Sequence, residues 1–475
     1  MVCPRCGHST EGKDLTREQL RTRIAQLNAL IASLDTERRQ LEAQSDAIVY
    51  PVLSLPPELT SLIFIHCLPS TSLPRPSPLE PPLLVAQICR QWRAIAVGTP
   101  ELWSSVALSD SHSPDLLDVW LSRSAQCPLN ILLDDGDVER ACKLVDTCKP
   151  YADRWEDVQF NLPEEALLGF KDLSRVPLLK RMSVSRRGMY GFKEIFEMTE
   201  APLLRVAVLD VGPGLEFMLP WQQMTSLTLA KSTPGYTLLI LKECPGLLAL
   251  DLSAVEAATV WGDEAVLWLE CLQSFSFPSH FCVALDHLRL PQLTHMSIRE
   301  TMPFRQGDAD ALRRFVVQSS PPLQRLSLHL KYPSPQMLAR CLDALPPFLR
   351  ALELHCGNAT HVRPALEVLR TRSAFPDFQT LSITGGRVFD SDYAYLAETL
   401  EARCVGPSTS SLKAFSLWVQ TYGRADAQRD LARIRVMPRF RALAEAGLRI
   451  RFVVAGKTSV EPEIWMDTLV EGDFS

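Results

Sequence analysis

The residues with the plainest chemical potential come first in the chain, at Cys3-Pro-Arg-Cys6-Gly-His8. A C-x-x-C turn offers zinc two thiolates, but a structural zinc takes four ligands. No second Cys or His pair follows before Cys67. We therefore expect no metal, and a flexible N-terminus over residues 1–13. No catalytic set follows further on. Val211-Gly-Pro-Gly214 lacks the Lys and the strand–helix setting of a phosphate loop. There is no G-x-S-x-G elbow and no H-E-x-x-H helix. The nine histidines are scattered, and Asp134-Asp135 before Gly136 reads as a turn. Neither a catalytic residue nor a cofactor is expected, so the question becomes what the chain binds.

The side chains best suited to binding are Arg181, Arg205, His295 and Arg325, with Arg299, His329, His355 and Trp418. Arg forks match carboxylate and phosphate, so such a lining suits an acidic or phosphorylated partner protein. A plain solvated polar face is the alternative. The binding reading requires an element that turns these residues to one side.

A repeat after residue 150 supplies that element. Its clearest copies read Pro-x-Leu-x-x-Leu-x-Leu, as in Pro322-Leu323-Gln-Arg-Leu326-Ser-Leu328. Aligning the apolar-x-apolar cores places Val158, Met182, Val206, Leu227, Leu250, Phe275, Met296, Leu326, Leu352, Leu381 and Phe415 at equivalent positions. Most spacings fall within the roughly 20–29 residues of a leucine-rich repeat. The residue after each core position is polar in all copies but one, where it is Ala207. Alternation of this kind predicts strands with one buried and one solvated face. The connecting segments are long enough for crossover helices, with candidates at 337–345 and 363–371. The predicted fold class is α/β: an irregular leucine-rich-repeat solenoid with a curved parallel sheet over 151–455. The eight binding candidates sit just before or three after core positions, on the solvated side. Residues 447–454 add a last strand, and 456–475 form a C-terminal tail.

Two elements precede the repeat. Over 14–48, Leu20, Ile24, Leu27, Ile31, Leu34, Arg38, Leu41, Ser45 and Ile48 alternate steps of four and three. That is a heptad seam with two polar breaks, begun by a Thr16/Gln19 capping box. It is either an amphipathic helix laid on the next domain or a self-associating coiled coil. Over 50–108, Pro56 and Pro57 suit a first helical turn, and Glu58 suits the positive helix end. Leu59, Leu62 and Ile63 give that helix an apolar face. Residues 69–82 hold six prolines and cannot be regular structure. A second helix starts near Leu83, with Leu84, Ile88, Trp92, Ile95 and Ala96 along one face, and Pro100-x-Leu102-Trp103 closes over the pair. So small a module buries little surface alone, so its excess apolar ridge suits a partner. Residues 109–150 read as a connecting segment.

The ordered set Leu55-Pro56-Pro57-Glu58-Leu59, Ile63-Phe64, Ile88-Cys89-Arg90-Gln91-Trp92-Arg93 and Pro100-x-Leu102-Trp103 resembles an F-box. More narrowly, it resembles the F-box of the expanded fungal, basidiomycete-type families, with irregular leucine-rich repeats behind it. The resemblance implies docking to the Skp1 adaptor, and through it to a cullin, in a ubiquitin ligase. It implies that Leu55, Pro56, Pro57, Leu59 and Ile63, with Ile88, Cys89 and Trp92, meet the adaptor or buttress that surface. The 14-residue Pro-rich gap is longer than the usual loop, and the repeats lack the regular Asn or Cys after the core. The implied role is substrate recognition, with the repeats holding an unknown target. A non-ligase interaction scaffold is the alternative.

Bulk properties agree with a binding protein. A chain of 475 residues exceeds one ordinary core. A net charge of −6 argues against a nucleic-acid partner. No unbroken apolar run of 18 residues suggests a membrane span, and the N-terminus shows no secretory h-region. The 13 cysteines lack a framework spacing and read as reduced thiols, which points to the cytoplasm or nucleus.

Overall fold

A computed structural model describes residues 17–46, 51–188, 194–210, 215–254, 266–301, 305–330, 335–343, 345, 349–361, 363–371, 378–387, 390–404, 412–421, 438–456 and 464–469. Cys3, Cys6, His8, Thr16, Ile48 and the Val211–Gly214 run lie outside them. Among the described residues, no group of three or more His, Cys, Asp or Glu could hold a metal ion. No helix among them is long and apolar enough to cross a membrane.

The protein is mixed α/β, built on a sheet of fifteen strands. In chain order these are β1 (Ser105–Ser109), β2 (Leu129–Asp134), β3 (Trp155–Pro163), β4 (Arg181–Arg187) and β5 (Val206–Asp210). There follow β6 (Ser226–Ala230), β7 (Ala249–Ala254), β8 (Ser274–Pro278), β9 (His295–Arg299) and β10 (Arg325–Leu330). The last are β11 (Ala351–His361), β12 (Thr380–Arg387), β13 (Ala414–Thr421), β14 (Arg449–Gly456) and β15 (Ile464–Leu469). Sheet order equals chain order. Every pairing is parallel except the last, where β15 runs antiparallel to β14. Two short parallel pairs lie beside the sheet, Glu194–Glu197 with Leu215–Met218 and Leu267–Trp268 with Leu288–Arg289.

The helices are α1 (Arg17–Asp46), α2 (Pro57–His66), α3 (Leu83–Ile88), α4 (Arg90–Val97), α5 (Asp115–Arg123) and α6 (Val138–Cys148). After them come α7 (Glu164–Leu167), α8 (Pro234–Lys242), α9 (Gln306–Ser319), α10 (Pro335–Asp343), α11 (Arg363–Thr371), α12 (Asp390–Cys404) and α13 (Pro438–Glu445). The predicted crossover helices at 337–345 and 363–371 are α10 and α11.

The register explains the repeat. Val158 pairs with Met182, and the line runs on through Ala207, Leu227, Leu250, Phe275, Met296, Leu326, Leu352, Leu381 and Phe415 to Ile450. The sequence alignment holds except at Val206, which sits one residue early. Ala207 is the buried residue there, and the exposed Val208 faces outward. The single apolar exception to the alternation was therefore a register error. Two further buried lines flank the first. Leu179, Leu204, Met224, Leu247, Leu272, Leu293, Leu323 and Leu349 lie three residues before it, and Phe160, Val184, Leu209, Leu229, Leu252 and Phe277 two after. Each turn thus reads apolar-x-x-apolar-x-apolar because three side chains of every repeat enter one core.

The sheet starts earlier than the sequence suggests. Residues 109–150 are more than a connector, since β1 and β2 pair in register from Ser105↔Asn130 to Ser109↔Asp134. The tail beyond 456 likewise contributes β15. The Pro-rich loop has a structural place: the Pro74 carbonyl accepts from the Ala107 amide at 2.9 Å, covering part of the β1 edge. Blunting a free edge in this way prevents unwanted strand pairing.

The helical module joins the sheet through Trp103. It is fully buried, its indole Nε1 donates to the Ala96 carbonyl at 2.8 Å, and its ring meets Trp120 edge-on at 4.9 Å. The Arg123 guanidinium lies over the ring, 4.4 Å from its centroid. Trp103→Ala should cost about 3–5 kcal/mol of unfolding free energy, the usual range for a buried aromatic. Urea titration of the purified protein measures this, and an unchanged midpoint would show that Trp103 does not tie the module to the sheet.

Candidate binding surfaces

The first surface lies on α2–α4. The Pro56 carbonyl accepts from the Leu59 and Thr60 amides at 3.1 Å each, which starts α2. Thr60 and Phe64 turn inward, and Phe64 meets Trp92 at a ring separation of 4.9 Å. The opposite side presents Leu59, Leu62 and Ile63, exposed at 49%, 51% and 46%. These three follow i, i+3, i+4 spacing, so they share one stripe. Pro56 and Pro57 are exposed beside it, and Leu55 is half-buried.

The predicted second helix is in fact two. Cys89 adopts an extended conformation (φ −154°, ψ 171°) that ends α3 and caps α4. Its Sγ accepts from the Trp92 amide at 3.4 Å. The break divides the expected apolar face. Leu84 and Ile88 on α3 point to solvent, at 39% and 58% exposure, while Ala96 is buried and Trp92 and Ile95 pack on the core. Trp92 and Cys89 therefore shape the module from within, and Ile88 stands on its outside. Two ties hold the segments: Gln91 Nε2 donates to the Leu53 carbonyl at 3.1 Å, and Arg93 Nε to the Ala86 carbonyl at 2.8 Å.

The second surface is the open face of the sheet. His295, Arg299, Arg325, His329, His355 and Trp418 come together on β9–β13. Arg299, His329, His355, Thr384 and Trp418 are successive partners across these strands. Arg181 shares the open face but sits on β4, five strands from β9, or about 24 Å along the sheet. Its Nε lies 3.7 Å from Asp157. Arg205 lies at the rim of the face, where it lines one pocket with Lys180, Arg181, Leu203 and Val206. With the register corrected it precedes β5, and its Nη1 donates to the Pro202 and Leu204 carbonyls at 3.0 Å each.

Electrostatics change the reading of this ridge. Arg299 is already engaged: Nη1 donates to Asp251 Oδ2 at 3.0 Å and Ser276 Oγ at 2.7 Å, and Nη2 to Asp251 Oδ1 at 2.7 Å and the Leu252 carbonyl at 2.6 Å. A guanidinium with both terminal nitrogens held this way is a structural clamp across β7, β8 and β9 rather than an open anion receptor. Arg325 is more than half exposed and only loosely associated with Glu353, at 3.8 Å. The acidic members Asp251 and Glu353 were missed as site residues. They were visible as outward-facing positions, but their partners lie far off in sequence.

His329 and His355 stack nearly parallel, 4.1 Å between centroids and 10° between planes. Ser327 Oγ lies 3.5 Å from His329 Nε2, and Glu353 3.9 Å from His355 Nε2. Burial, followed by His355 and Arg299, pushes the His329 pKa down to about 4. Burial also lowers His355 against the opposing pull of Glu353, and burial then Arg325 lower His295. At neutral pH the ridge therefore offers flat, uncharged imidazole faces beside one exposed guanidinium and one carboxylate. That chemistry suits a mixed apolar and polar protein surface.

The stacked pair makes a prediction. Below its ordinary value of 6.5 the unfolded His329 takes a proton that the folded one refuses until about pH 4. Stability should fall as pH drops through that window. His329→Gln should flatten the slope in urea unfolding measured between these pH values; an identical slope in variant and parent would refute the assignment.

No family model matches the chain, and no curated protein matches it. Among solved structures, a crystal structure of a Bacteroides fragilis protein aligns with a TM-score of 0.26 and 13% identity. The alignment covers 54% of this chain and 63% of that one. A likeness this slight carries no argument about fold or function.

Proposed function

We propose that this chain is the substrate-recognition subunit of a Skp1–cullin–F-box ubiquitin ligase. In this reading α2–α4 are the F-box that docks Skp1. The sheet and its helices are an irregular leucine-rich-repeat solenoid whose open face holds the target protein. The carrying observation is the stripe of Leu59, Leu62 and Ile63, near half exposed on a helix whose other side is locked by Phe64 against Trp92. Apolar side chains held out on a rigid, buttressed helix favour a protein partner. Leu55, Pro56, Pro57 and Ile88 extend that contact, and Cys89 and Trp92 support it from beneath. The target side rests on the exposed Arg325, the stacked His329 and His355, His295 and Trp418, with Arg299 as their brace. The ligase's chemistry would follow from proximity, because a held lysine meets the charged conjugating enzyme at high effective concentration.

A non-ligase scaffold is the second reading. The exposed apolar seam of α1 favours it, since that seam is a further binding element outside both surfaces.

Co-purification of the full chain with a Skp1-type adaptor decides between them. Leu59→Asp with Ile63→Asp should weaken capture by about a hundredfold, as expected for charges placed in an apolar contact. Arg325→Ala should leave capture unchanged. Adaptor capture that survives the double substitution, or that never occurs, removes the ligase reading and leaves the scaffold.

A further inference from the structure

The helix α1 lays a whole apolar seam open to solvent. It spans 30 residues, about 45 Å at the usual helical rise. Its seam residues Leu20, Ile24, Leu27, Ile31, Leu34 and Leu41 are between 44% and 58% exposed. An isolated helix gains little from propensity alone, so a seam of this kind is stable in water only when another surface covers it. Ile24 and Ile31 take one core position of the heptad and the four leucines take the other, so the seam from Leu20 to Leu41 is apolar except at Arg38.

Charge identifies the second strand. The first half of α1 carries Arg17, Arg21 and Arg23 against Glu18. The second carries Asp35, Glu37, Glu42 and Asp46 against Arg38 and Arg39. The helix is therefore basic at one end and acidic at the other. Arg38, the polar break in the seam, lies 3.8 Å from Asp35 and 3.5 Å from Glu42 on its own helix, so a carboxylate pair already flanks it. Two copies side by side in the same direction would set like ends together, with Glu37 facing the Glu42 of the other copy. Two copies in opposite directions set the Arg21 and Arg23 end against the Asp35, Glu37 and Glu42 end, twice.

We propose that α1 is a homodimerisation helix, pairing antiparallel with α1 of a second copy of this chain. The seam forms the dry core of the pair, and the opposite charges of the two halves fix its direction. Antiparallel pairing sends the two helical modules away from opposite ends of the pair, so both copies keep their adaptor and sheet surfaces free.

The test is sedimentation equilibrium of the full chain. The parent protein should be a dimer, and Ile24→Asp with Ile31→Asp should be a monomer. Arg21→Glu with Arg23→Glu makes both ends acidic and should raise the dissociation constant at least about tenfold, since like charges across an interface are costly. Adding Glu37→Arg and Glu42→Arg to that variant should restore the dimer, which separates lost attraction from lost helix. A monomeric parent overturns the proposal. So does a dimer indifferent to Arg21→Glu with Arg23→Glu, as parallel pairing predicts, or one that survives Ile24→Asp with Ile31→Asp.

Discussion

One ladder of backbone hydrogen bonds sets the geometry on which the rest of the molecule depends. It crosses the sheet just before the strands begin. The Arg205 amide donates to the Lys180 carbonyl at 3.0 Å, Thr225 to Arg205 at 2.9 Å, Leu248 to Thr225 at 2.8 Å and Gln273 to Leu248 at 2.9 Å. The line continues through Thr294, Gln324, Arg350 and Gln379 to Lys413, and Arg449 closes it on the Lys413 carbonyl at 2.9 Å. Most of these carbonyls accept from two successive amides of the next turn, so each bend is stitched before its strand starts. A slip of one residue in any turn would send its buried set to solvent. The ladder therefore decides which side chains form the core and which form the open face. It also fixes the stacking of His329 on His355, because those two residues are direct partners in the register.

A stack of parallel strands leaves two edges, and the chain ends the stack differently at each. At β1 the Pro-rich loop supplies a carbonyl where a neighbouring strand would bond. Proline suits this position, because it can accept a hydrogen bond there without offering an amide for further pairing. At the other end β15 reverses direction and pairs with β14 from Ile450↔Leu469 to Ala455↔Ile464. A loop that reads from sequence as an irregular insertion into the helical module thus belongs equally to the sheet. The module and the sheet are joined by that contact and by Trp103, whose indole bonds back into α4.

The repeat was legible because apolar-x-x-apolar-x-apolar is a strong local signal and each copy restates it. Its one misreading has a local cause. Arg205-Val-Ala-Val-Leu-Asp210 alternates Val and Ala, and periodicity favours the larger residues for the core. The structure instead buries the small Ala207, because the neighbouring turns fix the register from both sides. That error also placed Arg205 within the candidate lining rather than at its rim. The first strands were hidden because β1 begins directly after the Trp103 turn, where no repeat signal had yet appeared. The break at Cys89 was hidden as well: a single extended residue flanked by good helix formers leaves no mark on periodicity. The clamp on Arg299 was beyond any local pattern, since Asp251 lies 48 residues away in sequence. What sequence supplied was which residues face outward; what it withheld was which of them neutralise one another.

This neutralisation bears on how the two surfaces can work together. The helical module meets the sheet at β1, and the histidine ridge lies on β9–β13. Eight strand steps separate β1 from β9, about 38 Å along the sheet at the usual spacing. Sites this far apart with no shared partners respond independently to substitution. The core between them is continuous, with Leu, Phe, Met and Val side chains closely packed from Val106 to Ile450. A close-packed interior of this kind deforms little. The sheet therefore acts as a fixed spacer between what α2 presents and what the ridge presents, and it sets their separation without needing to transmit a signal. The proposed reading, in which one end docks a partner and the other holds a target, calls for that rigidity, and the backbone ladder provides it.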